Sequence, residues 1–135
     1  MVQYQKGDFY SHFTVLYLIH QSEKVKQMKI DDLKKAIQCG ITVEFSNHCQ
    51  KRMLERNISA DDIIYCIKSG EIIEEYPLDN ECGDKSLASC LVLGYRIIDN
   101  KAIHIVVGFN GTRLLIISAC YPDEKKWLNH RIRRN

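Results

Sequence analysis

The sequence predicts one α+β domain, with helices packed on a three- to four-stranded antiparallel sheet and a short helix at the C-terminus. Three observations lead there. Apolar residues recur with a helical period as far as Gly70 and with an alternating period after it. Three apolar strands then follow in quick succession through Asp99-Asn100 and Asn110-Gly111, the second being the strongest hairpin signal in the chain. The length, 135 residues, suits one domain with a sizeable core.

Residues 1–27 carry the weakest pattern. Their apolar run FTVLYLI spans seven residues, too few to cross a bilayer. Lys6 is accompanied by Asp8 and no small-residue cleavage pattern follows, which argues against a signal peptide. The segment reads as an N-terminal extension, either an extra edge strand or sequence upstream of a true start at Met28. Residues 28–135 then form the domain.

Asp31 and Asp32 open a first helix over 31–39, which sets Leu33, Ala36 and Ile37 on one face and stops at Gly40. Ile41, Val43 and Phe45 alternate in a short extended link. Ser46 caps a second helix that Asn57 closes. Ser59 opens a third, with Asp61 and Asp62 in its first turn, a buried stripe of Ile63, Ile64, Tyr65 and Ile67, and Gly70 as its stop. Residues 71–76 read as a strand ended by Pro77, and 78–86 as a polar loop. The meander follows over 89–98, 102–109 and 113–120. Tyr121-Pro122-Asp123 ends it, and 124–134 can form a basic terminal helix with Trp127, Leu128 and Ile132 inward.

Charged residues make up 27% of the chain and hydrophobic ones 45%, a balance that argues against global disorder and against a membrane-embedded fold. The net charge of +2 is too small to indicate nucleic acid by itself. Its distribution is more informative, because positive charge gathers in the second helix and at the C-terminus. The six cysteines show no CxxC and no paired metal-ligand spacing. They read as reduced core thiols of a cytoplasmic protein, with no metal and no cofactor expected, and Cys82 alone sits in a loop-like setting.

Residues 45–70 hold the densest set of reactive side chains. At about 100° per residue, His48, Lys51, Arg52, Glu55 and Arg56 share one arc of the second helix, opposite Cys49, Met53 and Leu54. Two readings of that arc stay open. It is a solvated face with Lys51 and Glu55 paired across one turn, or it is a phosphate site built from two arginines and a histidine that titrates near neutrality. In the strand over 102–109, Ile103, Ile105, Val107 and Phe109 should meet the helices, so His104 projects from the other face among small neighbours. There it can meet a ligand, or it can be a half-buried strand histidine bonded to a neighbour.

The stretch SNHCQKRMLERNISADDIIYCIKSGEIIEEYPLD, followed by SCLVLGYR, HIVVGF and IISACYPDEKKWL, resembles the bacterial domain-of-unknown-function family numbered 4258. The resemblance covers roughly residues 30–134, with Cys49 standing where the family commonly has alanine and with a longer loop around 82–86. Members look like the RelE-type and BrnT-type toxins of toxin-antitoxin pairs, small domains with helices on an antiparallel sheet. Several are encoded beside a zinc-finger antitoxin of the MqsA or YgiT kind.

The resemblance therefore implies a RelE-like fold and a metal-independent endoribonuclease in which the RNA 2′-hydroxyl attacks the adjacent phosphorus. His48 and His104 are the acid-base candidates, Arg52 and Arg56 the phosphate ligands, and Tyr121 a group to stack a base or share a proton. Lys51, Arg113, Lys126 and Arg131 are the expected RNA-backbone contacts. The expected partners are RNA, free or on the ribosome, and a cognate antitoxin of the MqsA/YgiT type, with no membrane involved. The rival expectation is a non-catalytic protein- or nucleic-acid-binding module. A small-molecule or metal-dependent hydrolase lacks a carboxylate cluster.

Overall fold

A computed structural model describes residues 2–4, 28–76 and 87–135. The readings of the apolar run in 1–27, of Pro77, and of the polar loop with Cys82 lie outside these residues. Three helices are present among them: α1 (Ile30–Gln38), α2 (Asn47–Arg56) and α3 (Ala60–Ser69). The main sheet contains β1 (Val2–Tyr4), β2 (Val43–Phe45), β3 (Glu71–Tyr76), β4 (Ala88–Tyr95), β5 (Ala102–Phe109) and β6 (Leu114–Cys120), in the order β1-β2-β6-β5-β4-β3.

Local chemistry accounts for the central helix pair. Ser46 Oγ accepts the Cys49 amide at 3.0 Å and donates to the Ile117 carbonyl at 2.9 Å, which caps α2 and ties its start to β6. Asn57 ends α2 in the left-handed conformation at φ 55° and ψ 46°, a geometry that asparagine tolerates better than most residues. Ser59 and Asp62 then exchange side-chain and backbone bonds of 3.0 Å each, a capping box that starts α3.

The four strands β3 to β6 form the expected antiparallel meander. The sheet as a whole is mixed, because the link at residues 43–45 becomes β2 and pairs parallel to β6, Val43 opposite Leu114 and Phe45 opposite Ile116. A sequence reading limited to hairpins overlooks such a pairing, since its partner strand lies some seventy residues away. β1 adds antiparallel to the outer side of β2.

The main core lies between the helices and one face of the sheet. Leu33, Val43, Phe45, Cys49, Ile63, Ile67, Ile103, Ile105, Phe109 and Ile116 are essentially inaccessible there, the placement expected for the odd-numbered positions of β5. Gly94 lets α3 close on β4: a Cβ at this position would stand 2.5 Å from Cys66 Cβ. Leu91, Leu93, His104, Leu115 and Trp127 are buried on the other face.

Three expectations require correction. Leu54 is 86% exposed, because the stripe of α2 on which it sits looks past α3 rather than into the core. Tyr65 is exposed for the same kind of reason, lying on the solvent side of α3 while Cys66 takes the buried position. The basic segment after Asp123 forms no helix: β7 (Trp127–Leu128) and β8 (Ile132–Arg133) make a two-stranded hairpin. Asn129 and His130 both adopt positive φ, 51° and 66°, and the Arg131 amide closes the turn on the Leu128 carbonyl at 3.0 Å. Among the described residues no helix is long and apolar enough to cross a membrane.

Candidate functional site

α2 runs along β6 in the same sense. Its start touches the Ile116 and Ile117 carbonyls, and its last turn reaches the strand end, where Arg56 Nη1 donates to the Ala119 carbonyl at 2.8 Å. Tyr121 returns the contact by donating its hydroxyl to the Arg56 carbonyl at 2.7 Å. Each side chain thus satisfies a backbone carbonyl at the other's element, and both remain half-buried.

Arg96 reinforces this corner. It is 8% exposed, grips Asp99 through Nε and Nη2 at 3.0 and 2.7 Å, and donates from Nη1 to the Asn57 carbonyl at 2.9 Å. The bidentate pair holds the Asp99 carboxyl down to about 2 and keeps Arg96 charged. Arg96 lies 5.5 Å from the centre of the Tyr121 ring, and Lys101 Nζ lies 5.1 Å from it. Burial pushes the Cys120 thiol up, while the nearby charges of Arg56 and Lys126 pull the other way. Arg56 and Lys126 make no ion pair among the described residues, whereas Lys101 lies in the field of the Asp99 carboxylate.

His48 and Lys51 are exposed on α2. Arg52 pairs with Glu55 at 2.8 Å, so the salt bridge of this face is not the expected Lys51–Glu55 pair; the three-residue spacing turns the longer guanidinium onto the carboxylate. Going round the helix, Lys51 stands at the solvent pole between Leu54 and His48, and Arg52 and Arg56 continue from His48 toward Tyr121.

His104 is elsewhere. It lies on the face of β5 away from the helices, 3% exposed, with Nε2 bonded to the His130 carbonyl at 2.7 Å and Trp127 edge-on at 4.6 Å between ring centroids. Burial lowers its pKa, and the bond to the His130 carbonyl works in the opposite direction. The terminal hairpin seals it there, because Arg133 straddles Glu74 through bonds of 3.0 and 2.9 Å, stacks on Trp127, and Arg131 pairs with Glu71. The sheet therefore separates His104 from His48, and the two imidazoles share no cleft. Arg113 is also remote, bound to Glu44 at the opposite end of β6, ~25 Å of extended chain from Tyr121.

Of the expected site residues, His48, Arg52, Arg56 and Tyr121 lie along one edge, with Lys126 beside its far end. Arg131 anchors the hairpin to β3. Arg96 and Lys101 were not singled out by spacing. The signal for Arg96 was its place in SCLVLGYR with an aspartate three residues on. Cys39 is exposed, contrary to a core role, while Cys49, Cys66 and Cys90 are fully buried and their thiols are pushed up to about 11, 11 and 12 by that burial. Among the described residues no group of three or more histidine, cysteine or carboxylate side chains is arranged to hold a metal.

The fold and this edge define a small α+β domain that presents a cationic helix arc leading to a tyrosine-centred corner. The chain belongs to the family described as Domain of unknown function (DUF4258), whose model matches residues 45–121, a span that runs from the start of the arc to Tyr121. No curated protein and no solved structure matches the chain.

Proposed function

We propose that this chain is a toxin of a type II toxin-antitoxin pair, of the RelE/BrnT-like superfamily, acting as a metal-independent endoribonuclease on RNA that lies along α2 toward Tyr121. One observation carries the proposal: Arg56 and Lys126 lie at the Tyr121 and Cys120 corner without an ion-pair partner among the described residues, with Arg96 and Lys101 adding positive charge over the Tyr121 ring, at the foot of the His48 arc. Like charges held together destabilise a fold unless an anion offsets them, and an RNA backbone supplies that anion.

In this reading His48 accepts the 2′-hydroxyl proton as the 2′-oxygen bonds to phosphorus. The bond from phosphorus to the 5′-oxygen breaks, and the proton passes from His48 to that oxygen, leaving a 2′,3′-cyclic phosphate and a 5′-hydroxyl. Arg52 and Arg56, one turn apart on α2, hold the charged phosphorane, and Lys126 meets a neighbouring phosphate. Tyr121 fixes the last turn of α2 and positions Arg56 through its bond to the Arg56 carbonyl. His104, Arg113 and Arg131 have structural roles. The neutralising partner is an antitoxin of the zinc-finger MqsA/YgiT type, in the cytoplasm.

The test is growth during induced expression of wild type, His48→Ala and Arg52→Ala, with soluble folded protein verified for each. Arrest by wild type and relief in both variants supports the reading. Growth without arrest at high soluble expression favours the second reading, a non-catalytic binding module. That reading draws on the satisfied bonds of Arg56 and Tyr121 and on the presence of one exposed imidazole in the arc rather than two.

A further inference from the structure

We infer that Arg96 is a positioning residue of the proposed RNA site: it fixes the end of α2 so that Arg56 faces the phosphate, an inference that rests on the reading of the α2 arc as the RNA-binding edge. The last carbonyls at a helix C-terminus have no partner within the helix. At the end of α2 two successive ones, those of Arg56 and Asn57, are taken by side chains from the sheet. Tyr121 donates its hydroxyl to the first at 2.7 Å, and Arg96 donates Nη1 to the second at 2.9 Å. The Arg96 guanidinium also lies over the Tyr121 ring, so the two donors brace each other.

Arg96 is itself held in place. Asp99 accepts from Nε and Nη2 as a bidentate partner, and Nη1 lies 3.8 Å from Asp62 in the first turn of α3. The Arg96 amide donates to the Lys101 carbonyl and the Asn100 amide to the Arg96 carbonyl, which closes the turn carrying that pair. At 8% exposed, Arg96 offers RNA little surface of its own, so its influence passes through what it holds. Among the described residues only Nη1 of Arg56 is bonded, to the Ala119 carbonyl, which orients the guanidinium and leaves its Nε and Nη2 donors for phosphate. The other end of α2 has an independent anchor, since Ser46 is bound to the Ile117 carbonyl. Loosening the Arg96 end alone pivots α2 about Ser46, displacing Arg56 most and His48 least.

The test measures the affinity of the full chain for a fluorescein-labelled single-stranded 2′-O-methyl oligoribonucleotide, which lacks the nucleophile and is bound without being cut. Fluorescence anisotropy reads binding, cleavage of the matching unmodified RNA is followed alongside, and urea unfolding gives the folded fraction. Arg96→Lys keeps the charge but cannot pair with Asp99 and reach Asn57 together, and it weakens binding about 10-fold. Arg56→Ala also weakens binding, and Arg96→Lys added to it costs nothing further, because Arg96 reaches RNA only through Arg56. Asp99→Asn, at an exposed turn, loosens the same pair and shows the same dependence on Arg56, which keeps the test available should Arg96→Lys fail to fold. Undiminished binding by folded Arg96→Lys or Asp99→Asn overturns the inference, and so does a loss that adds fully to that of Arg56→Ala. The predicted binding pattern in a chain that leaves the unmodified RNA intact keeps the inference and removes the nuclease reading, whereas no binding by wild type removes both.

Discussion

Replacing His104 by alanine separates a histidine that holds the fold from one that performs chemistry. The variant loses the 2.7 Å bond to the His130 carbonyl, about 1 kcal/mol net. It also loses the edge-on contact with Trp127, about 1 kcal/mol, and leaves a void at a site that is 3% exposed, about 1 kcal/mol more. The expected total is about 3 kcal/mol, a large fraction of a small domain's stability. Trp127 is the single tryptophan of the chain and touches this ring, so urea unfolding followed by its fluorescence reads local and global change together, with circular dichroism as the second probe.

The pH dependence has a definite sign. Burial holds the native imidazole below its ordinary 6.5, so the unfolded chain binds the proton more readily. The stability contribution is complete above about 6.5 and is lost as pH falls through the native value. His104→Phe keeps the ring and removes this slope. A loss below about 1 kcal/mol in His104→Ala with unchanged Trp127 emission would refute the account of the hairpin as a seal over the imidazole.

Gly94→Ala places a methyl group 2.5 Å from Cys66 Cβ and 2.7 Å from the Cys66 carbonyl oxygen. It should separate α3 from β4 and cost upwards of about 3 kcal/mol in thermal or urea unfolding. Ser59→Ala removes one half of the capping box and should cost about 1 kcal/mol; a neutral result would mean that α3 starts without help from its cap. In thiol labelling at pH 8, Cys39 should react at once, while Cys49, Cys66 and Cys90, fully buried and with pKa values near 11, 11 and 12, react only on unfolding. Rapid labelling of the buried three in the native protein would contradict the packing described.

The helix pair and the meander were legible because their signals are local. Ser46, Asn57, Ser59 and Gly70 each do at the helix ends what their side chains, or the lack of one, favour, and Asn110-Gly111 turns β5 into β6 with Asn110 Oδ1 accepting the Thr112 and Arg113 amides. The parallel partner of β2 was not legible, and for His104 the sequence left a bonded strand histidine open beside a ligand-facing one; the partner strand and the hairpin that covers the imidazole both come from chain segments far away in sequence. The terminal segment departs from its helical spacing for the same reason. Its apolar spacing fits a helix, yet Trp127 gains more by covering His104, and Arg131 and Arg133 by reaching Glu71 and Glu74. The turn that allows this is Asn129-His130, a weaker form of the Asn-Gly signal. Within the candidate site, helical spacing placed His48, Arg52 and Arg56 on one arc, but only the fold shows Arg56 locked to Tyr121 and His104 behind the sheet.

The central claim is tested most directly by incubating purified wild type, His48→Ala and His104→Phe with RNA in the presence of a chelator and analysing the chemistry of the new ends. The account predicts 2′,3′-cyclic phosphates and 5′-hydroxyls from wild type, the same products at a similar rate from folded His104→Phe, and none from folded His48→Ala. Cleavage that survives His48→Ala, or that disappears in folded His104→Phe, would contradict it.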